Sequence, residues 1–177
     1  MTRRRRALTI LGIGAAAVTG LLALGYVGGL RINLTPSYPL GIWRIVPLDR
    51  KVAVGDLVMI CPPPTSAFTL ARQRGYLRLG LCPGWLSPLI KTVAATQGQR
   101  VEIAGAVSVD DLPLANSKMR AADAEGRGLI PFAGGIVPSG HIFLHSDFAG
   151  SYDSRYFGPI PAAGVLGVAR PILTIHR

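Results

Sequence analysis

One lysine of this sequence lies in surroundings that can make its side chain a base. Lys91 is in residues 88–95 (PLIKTVAA), where every near neighbour is apolar or small. Burial disfavours the charged ammonium and can lower a lysine pKa by several units from about 10.4, which makes a neutral amine available. The alternative is a lysine on an edge strand whose long side chain reaches water.

A second candidate for chemistry is Ser37, which lies among two prolines and a glycine in residues 35–43 (TPSYPLGIW). Proline fixes its own φ and restricts the residue before it, so we expect the Ser37 hydroxyl on a rigid, exposed turn. Such positioning favours a nucleophile. A plain turn without chemical function is the alternative.

A third segment, residues 151–161 (SYDSRYFGPIP), alternates polar and aromatic residues before a Pro/Gly turn. Asp153 and Arg155 predict a charge-assisted pair that fixes this loop. The adjacent residues 145–147 (HSD) do not predict a Ser-His-Asp triad, because alternate side chains of a strand point to opposite faces. The sequence has two Cys, three His and no CxxC, HExxH or glycine-rich nucleotide motif, so we expect no metal and no cofactor.

The elements that must position these groups begin with a membrane segment. Residues 7–30 carry no charge, and a helix of that length is about 36 Å long, against a hydrocarbon core of about 30 Å. Four arginines at positions 3–6 precede it, which predicts a cytoplasmic N-terminus and an exported domain over residues 31–177. The alternative is a cleaved signal peptide, for which the apolar run is long.

The amino-acid composition limits the classes of protein to which the rest of the chain can belong. Hydrophobic residues make up 49% and charged residues 16%, which excludes a disordered protein. The formal net charge is +10, but without the four N-terminal arginines 15 Lys and Arg remain against 9 Asp and Glu. These are spread along the chain, so we expect no nucleic-acid partner.

Short β-prone runs separated by turn residues dominate after residue 30. Residues 100–104 and 106–109 alternate on either side of Gly105, which is typical of a hairpin. Residues 65–81 are expected to contain a short helix. The pattern predicts a mostly β domain with antiparallel sheets, and its length allows a core that buries nearly 70% of the unfolded surface.

Taken together, the three segments resemble the type I signal peptidase superfamily, whose members are membrane-anchored serine peptidases with a Ser/Lys dyad. The TxSxPxGxW pattern around Ser37, PLIKTVAATQG around Lys91 and SYDSRYFGPIP follow the anchor in that order. The details are closer to the conjugal transfer peptidases of the TraF type, which share the start at residues 33–41, a single anchor and the Cys-Pro-Pro and Cys-Pro-Gly segments. Residues 145–150 (HSDFAG) depart from the more usual Gly-Asp-Asn.

The resemblance implies a role for each candidate residue. Ser37 would be the nucleophile and Lys91 the general base that takes its proton. Ser151 would orient the lysine amine, and the Thr35 hydroxyl with the Ser37 backbone N–H would form the oxyanion hole. Asp153 and Arg155 would form a pair that holds these groups in position without contacting the substrate. We also expect Tyr38 and Trp43 at the membrane-facing rim, where amphipathic rings are favoured.

The resemblance also implies a place and a substrate. The protein would be a single-pass protein of the bacterial inner membrane, with residues 1–6 in the cytoplasm and a signal-peptidase-like domain in the periplasm. Its substrate would be a membrane-embedded pilin precursor, and its partner the conjugative transfer machinery. A general signal peptidase and a non-catalytic anchored assembly protein stay open as alternatives.

Cys61 and Cys82 predict a disulfide. They are the two cysteines of a domain expected in an oxidising compartment, and each precedes a proline where an apolar run breaks into a turn. The alternative is two buried free thiols.

Overall fold

The computed structural model describes residues 2–175, an apolar helix followed by a mostly antiparallel β domain, so the predicted fold class is confirmed. The helices are α1 (Arg3–Val27), α2 (Ser66–Gln73) and the single turn α3 (Ser154–Phe157). The strands are β1 (Leu30–Asn33), β2 (Leu40–Val46), β3 (Leu57–Ile60), β4 (Leu79–Cys82), β5 (Leu89–Thr96), β6 (Arg100–Ile103), β7 (Val107–Val109), β8 (Leu112–Pro113), β9 (Gly135–Ile136), β10 (His141–His145), β11 (Ile160–Pro161) and β12 (Val165–Ile175).

Helix α1 has no buried residue, and its 25 residues give a length of about 37 Å. Within residues 2–175 it is the one helix long and apolar enough to cross a membrane, a test that a signal sequence also passes. The helix ends at Val27, so β1 begins inside the span predicted from the sequence. Gly29 makes the turn with φ +85°, and a side chain there would lie 2.8 Å from the Ile45 carbonyl oxygen, so glycine is required.

A seven-stranded sheet in the order β1-β2-β12-β3-β5-β10-β11 forms the framework of the domain, and each pair of neighbouring strands is antiparallel. Strand β5 lies between β3 and β10, near the middle of this sheet. A smaller sheet, β8-β7-β6-β9, contains the expected hairpin around Gly105. The main core lies between the large sheet and α2, and its most buried members include Val58, Ile60, Phe68, Leu86, Val93 and Leu144.

One local expectation is confirmed and another is wrong. The short helix expected within residues 65–81 is α2, which ends at Gln73 because Gly75 adopts φ +78° in the turn that follows, and Leu79–Cys82 then forms β4. Trp43 is not at a membrane-facing rim. It is 2% exposed in a core cluster, and its indole N–H donates to the Pro39 carbonyl over 3.0 Å.

The predicted disulfide between Cys61 and Cys82 is confirmed, with the two Cα atoms 5.4 Å apart. The bridge joins the end of β3 to the end of β4 and so fastens the β4 segment to the large sheet.

Replacing both cysteines with serine should lower the free energy of unfolding by about 3 kcal/mol, because the bridge closes a loop of roughly 22 residues in the unfolded chain. Thermal unfolding of the purified full chain, with and without reductant, measures the loss. Reductant should destabilise the native protein and leave the double variant unchanged. Two thiols that react with a labelling reagent in the unfolded, non-reduced protein would contradict the bridge.

Candidate active site

Three elements far apart in the sequence bring Ser37, Lys91 and Ser151 together. Ser37 lies on the turn between β1 and β2, Lys91 lies in β5, and Ser151 lies on the loop between β10 and α3. The Ser37 hydroxyl donates to the Ser151 Oγ over 3.3 Å, and the Lys91 Nζ donates to the same oxygen over 2.9 Å. The Ser151 hydroxyl therefore bridges the two groups that the sequence suggested as nucleophile and base.

Lys91 is buried in the sheet. Its side chain is 3% exposed, and β5 has a partner strand on each side, so the alternative of an edge-strand lysine is wrong. Burial lowers the pKa of Lys91 to about 8, although the Asp153 carboxylate raises it and the Arg155 guanidinium lowers it further. A substantial fraction of the amine is therefore neutral near physiological pH and can accept a proton.

The turn that carries Ser37 is organised by Asn33, the last residue of β1. The Asn33 amide nitrogen lies 2.9–3.1 Å from the backbone carbonyl oxygens of residues 35, 38 and 39, and donates to them. Its side-chain oxygen accepts the Thr35 backbone N–H over 3.1 Å. A short polar side chain that bonds the backbone of the following residues is typical of turns, and here it holds the segment around Ser37 in one conformation.

Thr35 lines the same groove as Ser37 and Lys91. Its hydroxyl donates to the Asn33 side-chain oxygen over 2.8 Å. A hydroxyl has one proton to donate, so an oxyanion role for Thr35 requires the hydroxyl to rotate away from Asn33 when substrate arrives. This role stays a prediction.

Asp153 and Arg155 form the ion pair expected from the sequence. Two guanidinium nitrogens of Arg155 donate to the two carboxylate oxygens of Asp153 over 2.8 and 2.9 Å, and both residues are fully buried. Burial raises the pKa of Asp153, but the neighbouring His145 and Arg155 outweigh it and keep the pKa below its usual value. Arg155 also donates to the backbone carbonyl of Ser151 over 3.3 Å, so the pair holds the loop that carries the bridging hydroxyl.

Ser146 also contributes to the site, although no sequence pattern singled it out. It is 1% exposed, and its hydroxyl donates to the backbone carbonyl of Ser37 over 2.6 Å. Its own backbone N–H donates to an Asp153 carboxylate oxygen over 3.2 Å. Ser146 therefore connects the buried ion pair to the turn of Ser37. The indication in the sequence that Ser146 is functional was only indirect, since it lies in residues 145–150, which depart from the usual Gly-Asp-Asn pattern.

Replacing Ser146 with alanine should lower kcat roughly 5-fold and change KM little, because one hydrogen bond of about 1 kcal/mol that orients the Ser37 turn is lost. Steady-state cleavage of a peptide substrate measures both constants. Ser146→Thr keeps the hydroxyl and should recover most of the rate. The matched control is Ser117→Ala, since Ser117 is an equally buried serine whose hydroxyl donates to Leu114 in another part of the domain. Equal kcat values for the two alanine variants would contradict a role for Ser146.

Ser37 and Lys91 open into a groove of about 250 Å³. Its other walls are formed by the loop after β4 and by the aromatic rings of Phe148 and Tyr152. Leu34, Pro88 and Ile90 also line a second groove, which continues to the disulfide. Within residues 2–175, no group of three His, Cys, Asp or Glu side chains converges as metal ligands do.

Comparison with known proteins assigns the chain to one family. Residues 4–174 match the family described as signal peptidase, peptidase S26. A crystal structure of a signal peptidase I from Enterococcus faecalis aligns with 67% of this chain and 97% of its own, with a TM-score of 0.42 and 22% identity.

Several relatives are similar over nearly their whole length. The chain is 58% identical to a probable conjugal transfer protein TraF of Sinorhizobium fredii, and the match covers 98% of this chain and 94% of the relative. It is 54% identical to the conjugal transfer protein TraF of Agrobacterium fabrum, with 97% of each chain covered. A plasmid transfer protein TraF of Escherichia coli is 35% identical, with 98% of this chain and 99% of the relative covered.

Proposed function

The chain belongs to the peptidase S26 family of signal peptidases, and on that basis we propose that it is a membrane-anchored serine endopeptidase with Ser37 as nucleophile and Lys91 as general base. The observation that carries the proposal is the hydrogen-bonded series from Ser37 through Ser151 to a buried lysine. A buried amine with a pKa of about 8 supports the role of base, since a lysine in water stays charged at neutral pH.

The reaction would proceed through an acyl-enzyme. Neutral Lys91 takes the Ser37 proton across the Ser151 hydroxyl, and the Ser37 oxygen bonds to the scissile carbonyl carbon. The oxyanion that forms is bound by the Ser37 backbone N–H and by the Thr35 hydroxyl once it has turned. The C–N bond then breaks, and the Lys91 ammonium gives its proton to the leaving amine. Neutral Lys91 then takes a proton from water, the hydroxide oxygen bonds to the ester carbon, and the ester C–O bond breaks as the Lys91 ammonium returns its proton to the Ser37 oxygen.

We propose a conjugative pilin precursor as the substrate and the conjugative transfer machinery as the setting. The names of the relatives support a role in conjugation, and the peptidase family supports cleavage of an exported precursor. A precursor held in the membrane needs a peptidase that is also held there, and Ser37 follows the end of α1 by ten residues. If the amine of the same substrate chain replaces water in the second step, the product is a cyclic pilin.

Mass spectrometry of a candidate pilin tests this proposal. Coexpression with the wild-type chain should yield a product shortened by a defined segment, and coexpression with Ser37→Ala should leave the precursor intact. A cyclic product is lighter than the linear one by one water. A precursor of the same mass in both strains would favour the non-catalytic assembly protein. Equal cleavage of unrelated exported proteins would favour a general signal peptidase.

We also propose that α1 is a retained anchor in the inner membrane, with the catalytic domain in the periplasm. The arginines at positions 3–6 favour a cytoplasmic N-terminus. A reporter active only in the periplasm and fused after Arg177 should be active, and neutral substitutions at positions 3–6 should weaken this orientation. An inactive reporter, with the chain still in the membrane fraction, would contradict the topology, because a periplasmic substrate would then be out of reach.

A further inference from the structure

Two arginines of the large sheet face each other, and neither has a negative partner within residues 2–175. In the antiparallel pairing of β2 with β12, Arg44 and Arg170 are directly opposite, so their side chains lie on the same face with Cβ atoms about 5 Å apart. Both residues are exposed. The ion pairs found within residues 2–175 include neither of them. Like charges in this arrangement destabilise a sheet, so an anion from outside the chain would relieve their repulsion.

The Arg44 side of the sheet faces the end of α1. Leu30 is opposite Arg44 in the pairing of β1 with β2, and the Leu30 side chain packs against Gly25 in the last turns of α1. The Ile45 backbone N–H donates to the Gly29 carbonyl over 2.9 Å. Gly29 is two residues beyond the end of α1, and two residues of chain span at most about 7 Å. If α1 spans the membrane, Arg44 therefore lies at the depth of the headgroup layer, which is about 5–7 Å thick on each side.

A groove of about 700 Å³ separates the end of α1 from β2, and it is lined by Tyr26, Val27, Arg31, Arg44 and Leu166 among others. The Arg31 guanidinium lies 3.7 Å above the Tyr26 ring and donates to the backbone carbonyls of Tyr26 and Leu30, so its charge has partners. In the part of the chain that the structure describes, the Arg44 side chain has no hydrogen bond of that kind. The groove thus combines apolar side chains, including Val27 at the end of α1, with the guanidinium of Arg44.

We propose that Arg44 and Arg170 bind the headgroup phosphate of an anionic phospholipid at the outer end of α1, with the acyl chains along the helix. Guanidinium groups match the geometry of phosphate oxygens and bind them with two hydrogen bonds. Two adjacent positive charges favour an anionic over a zwitterionic lipid, because the latter brings a cation beside the arginines. This lipid site depends on the proposal that α1 is retained as a membrane anchor. It would fix the height of β2, and with it the Ser37 turn that leads into β2, above the membrane.

Native mass spectrometry of the full chain in a nonionic detergent tests this site, with phosphatidylglycerol and phosphatidylcholine as the probes. The wild-type chain should retain phosphatidylglycerol at least 10-fold more tightly than Arg44→Gln/Arg170→Gln, and more tightly than phosphatidylcholine. The matched control is Arg100→Gln/Lys118→Gln, which removes the same charge from exposed positions of the small sheet and the loop beyond it. This control should behave like the wild-type chain.

Equal retention of phosphatidylglycerol by the wild-type chain and by Arg44→Gln/Arg170→Gln would overturn the proposal. An equal loss in the Arg100→Gln/Lys118→Gln control would also overturn it, since net charge rather than a site would then explain binding. Inorganic phosphate at the same concentration as the lipid should not displace bound phosphatidylglycerol. If it does, the site binds free phosphate rather than a lipid headgroup, and the proposal of a lipid site is wrong. The lipid count needs no peptidase activity, so its outcome is independent of the proposed function.

Discussion

Lys91→Arg should reduce cleavage by at least about 10⁴-fold, as much as Ser37→Ala does. Arginine keeps the positive charge and much of the length of lysine, but its guanidinium does not lose a proton at working pH. The variant therefore has no base for the Ser37 hydroxyl, and members of one catalytic unit each cost nearly the full rate enhancement when removed. Single-turnover cleavage of a synthetic peptide, which spans the site cleaved in the proposed pilin precursor, measures the loss.

The matched control for this substitution is Lys118→Arg, because Lys118 is exposed and outside the groove. It should keep the wild-type rate. Circular dichroism and an intact disulfide would show that Lys91→Arg is folded, which matters because the larger guanidinium enters a tightly packed sheet. Substantial cleavage by a folded Lys91→Arg variant would exclude Lys91 as the base.

The rate of cleavage should rise about 10-fold per pH unit below pH 8 and level off above it. The direction follows from the mechanism, because the neutral amine of Lys91 is the active form and its pKa is about 8. Between pH 6 and pH 8 the expected increase in kcat/KM is thus about 50-fold, because half of the amine is still charged at pH 8. Initial rates in buffers of constant ionic strength measure the profile, and near-ultraviolet circular dichroism at each pH checks that the fold persists. A flat profile from pH 6 to pH 9 would argue against a lysine base.

The sequence left the burial of Lys91 open but favoured the disulfide. A lysine among apolar neighbours can also reach water from an edge strand, and only the pairing of β5 with β3 and β10 excludes that alternative. The disulfide was favoured because the chain has two cysteines in a domain expected to be exported. The approach of Ser37 and Ser151 to Lys91 was expected only through the resemblance to signal peptidases, because the motifs carry no distances.

The contacts that hold the site in place were not predictable, because they join distant segments. The Ser146 hydroxyl reaches a carbonyl 109 residues away, and no local pattern encodes that partner. Asn33 was part of a recognised motif, but its backbone contacts depend on how the chain turns into β2. The location of Trp43 was predicted wrongly because an aromatic ring near a membrane segment can lie either at the membrane-facing rim or in the core. The pairing of β2 with β12 decides between these two locations, and that pairing joins distant parts of the sequence.

The burial of Lys91 also makes stability and activity depend on pH together. The pKa of Lys91 is about 8 in the folded chain, against 10.5 for an exposed lysine. Below pH 8 the amine is charged in both the folded and the unfolded state, and the buried charge costs the folded state about 3 kcal/mol of its free energy of unfolding. As the pH rises from 8 to 10.5 the folded state loses this charge first, and the free energy of unfolding increases by the same amount. The bridge between Cys61 and Cys82 has a similar estimated magnitude and the opposite sign. Formation of the disulfide would therefore offset the instability caused by the buried Lys91, and the reduced domain would be the more fragile form.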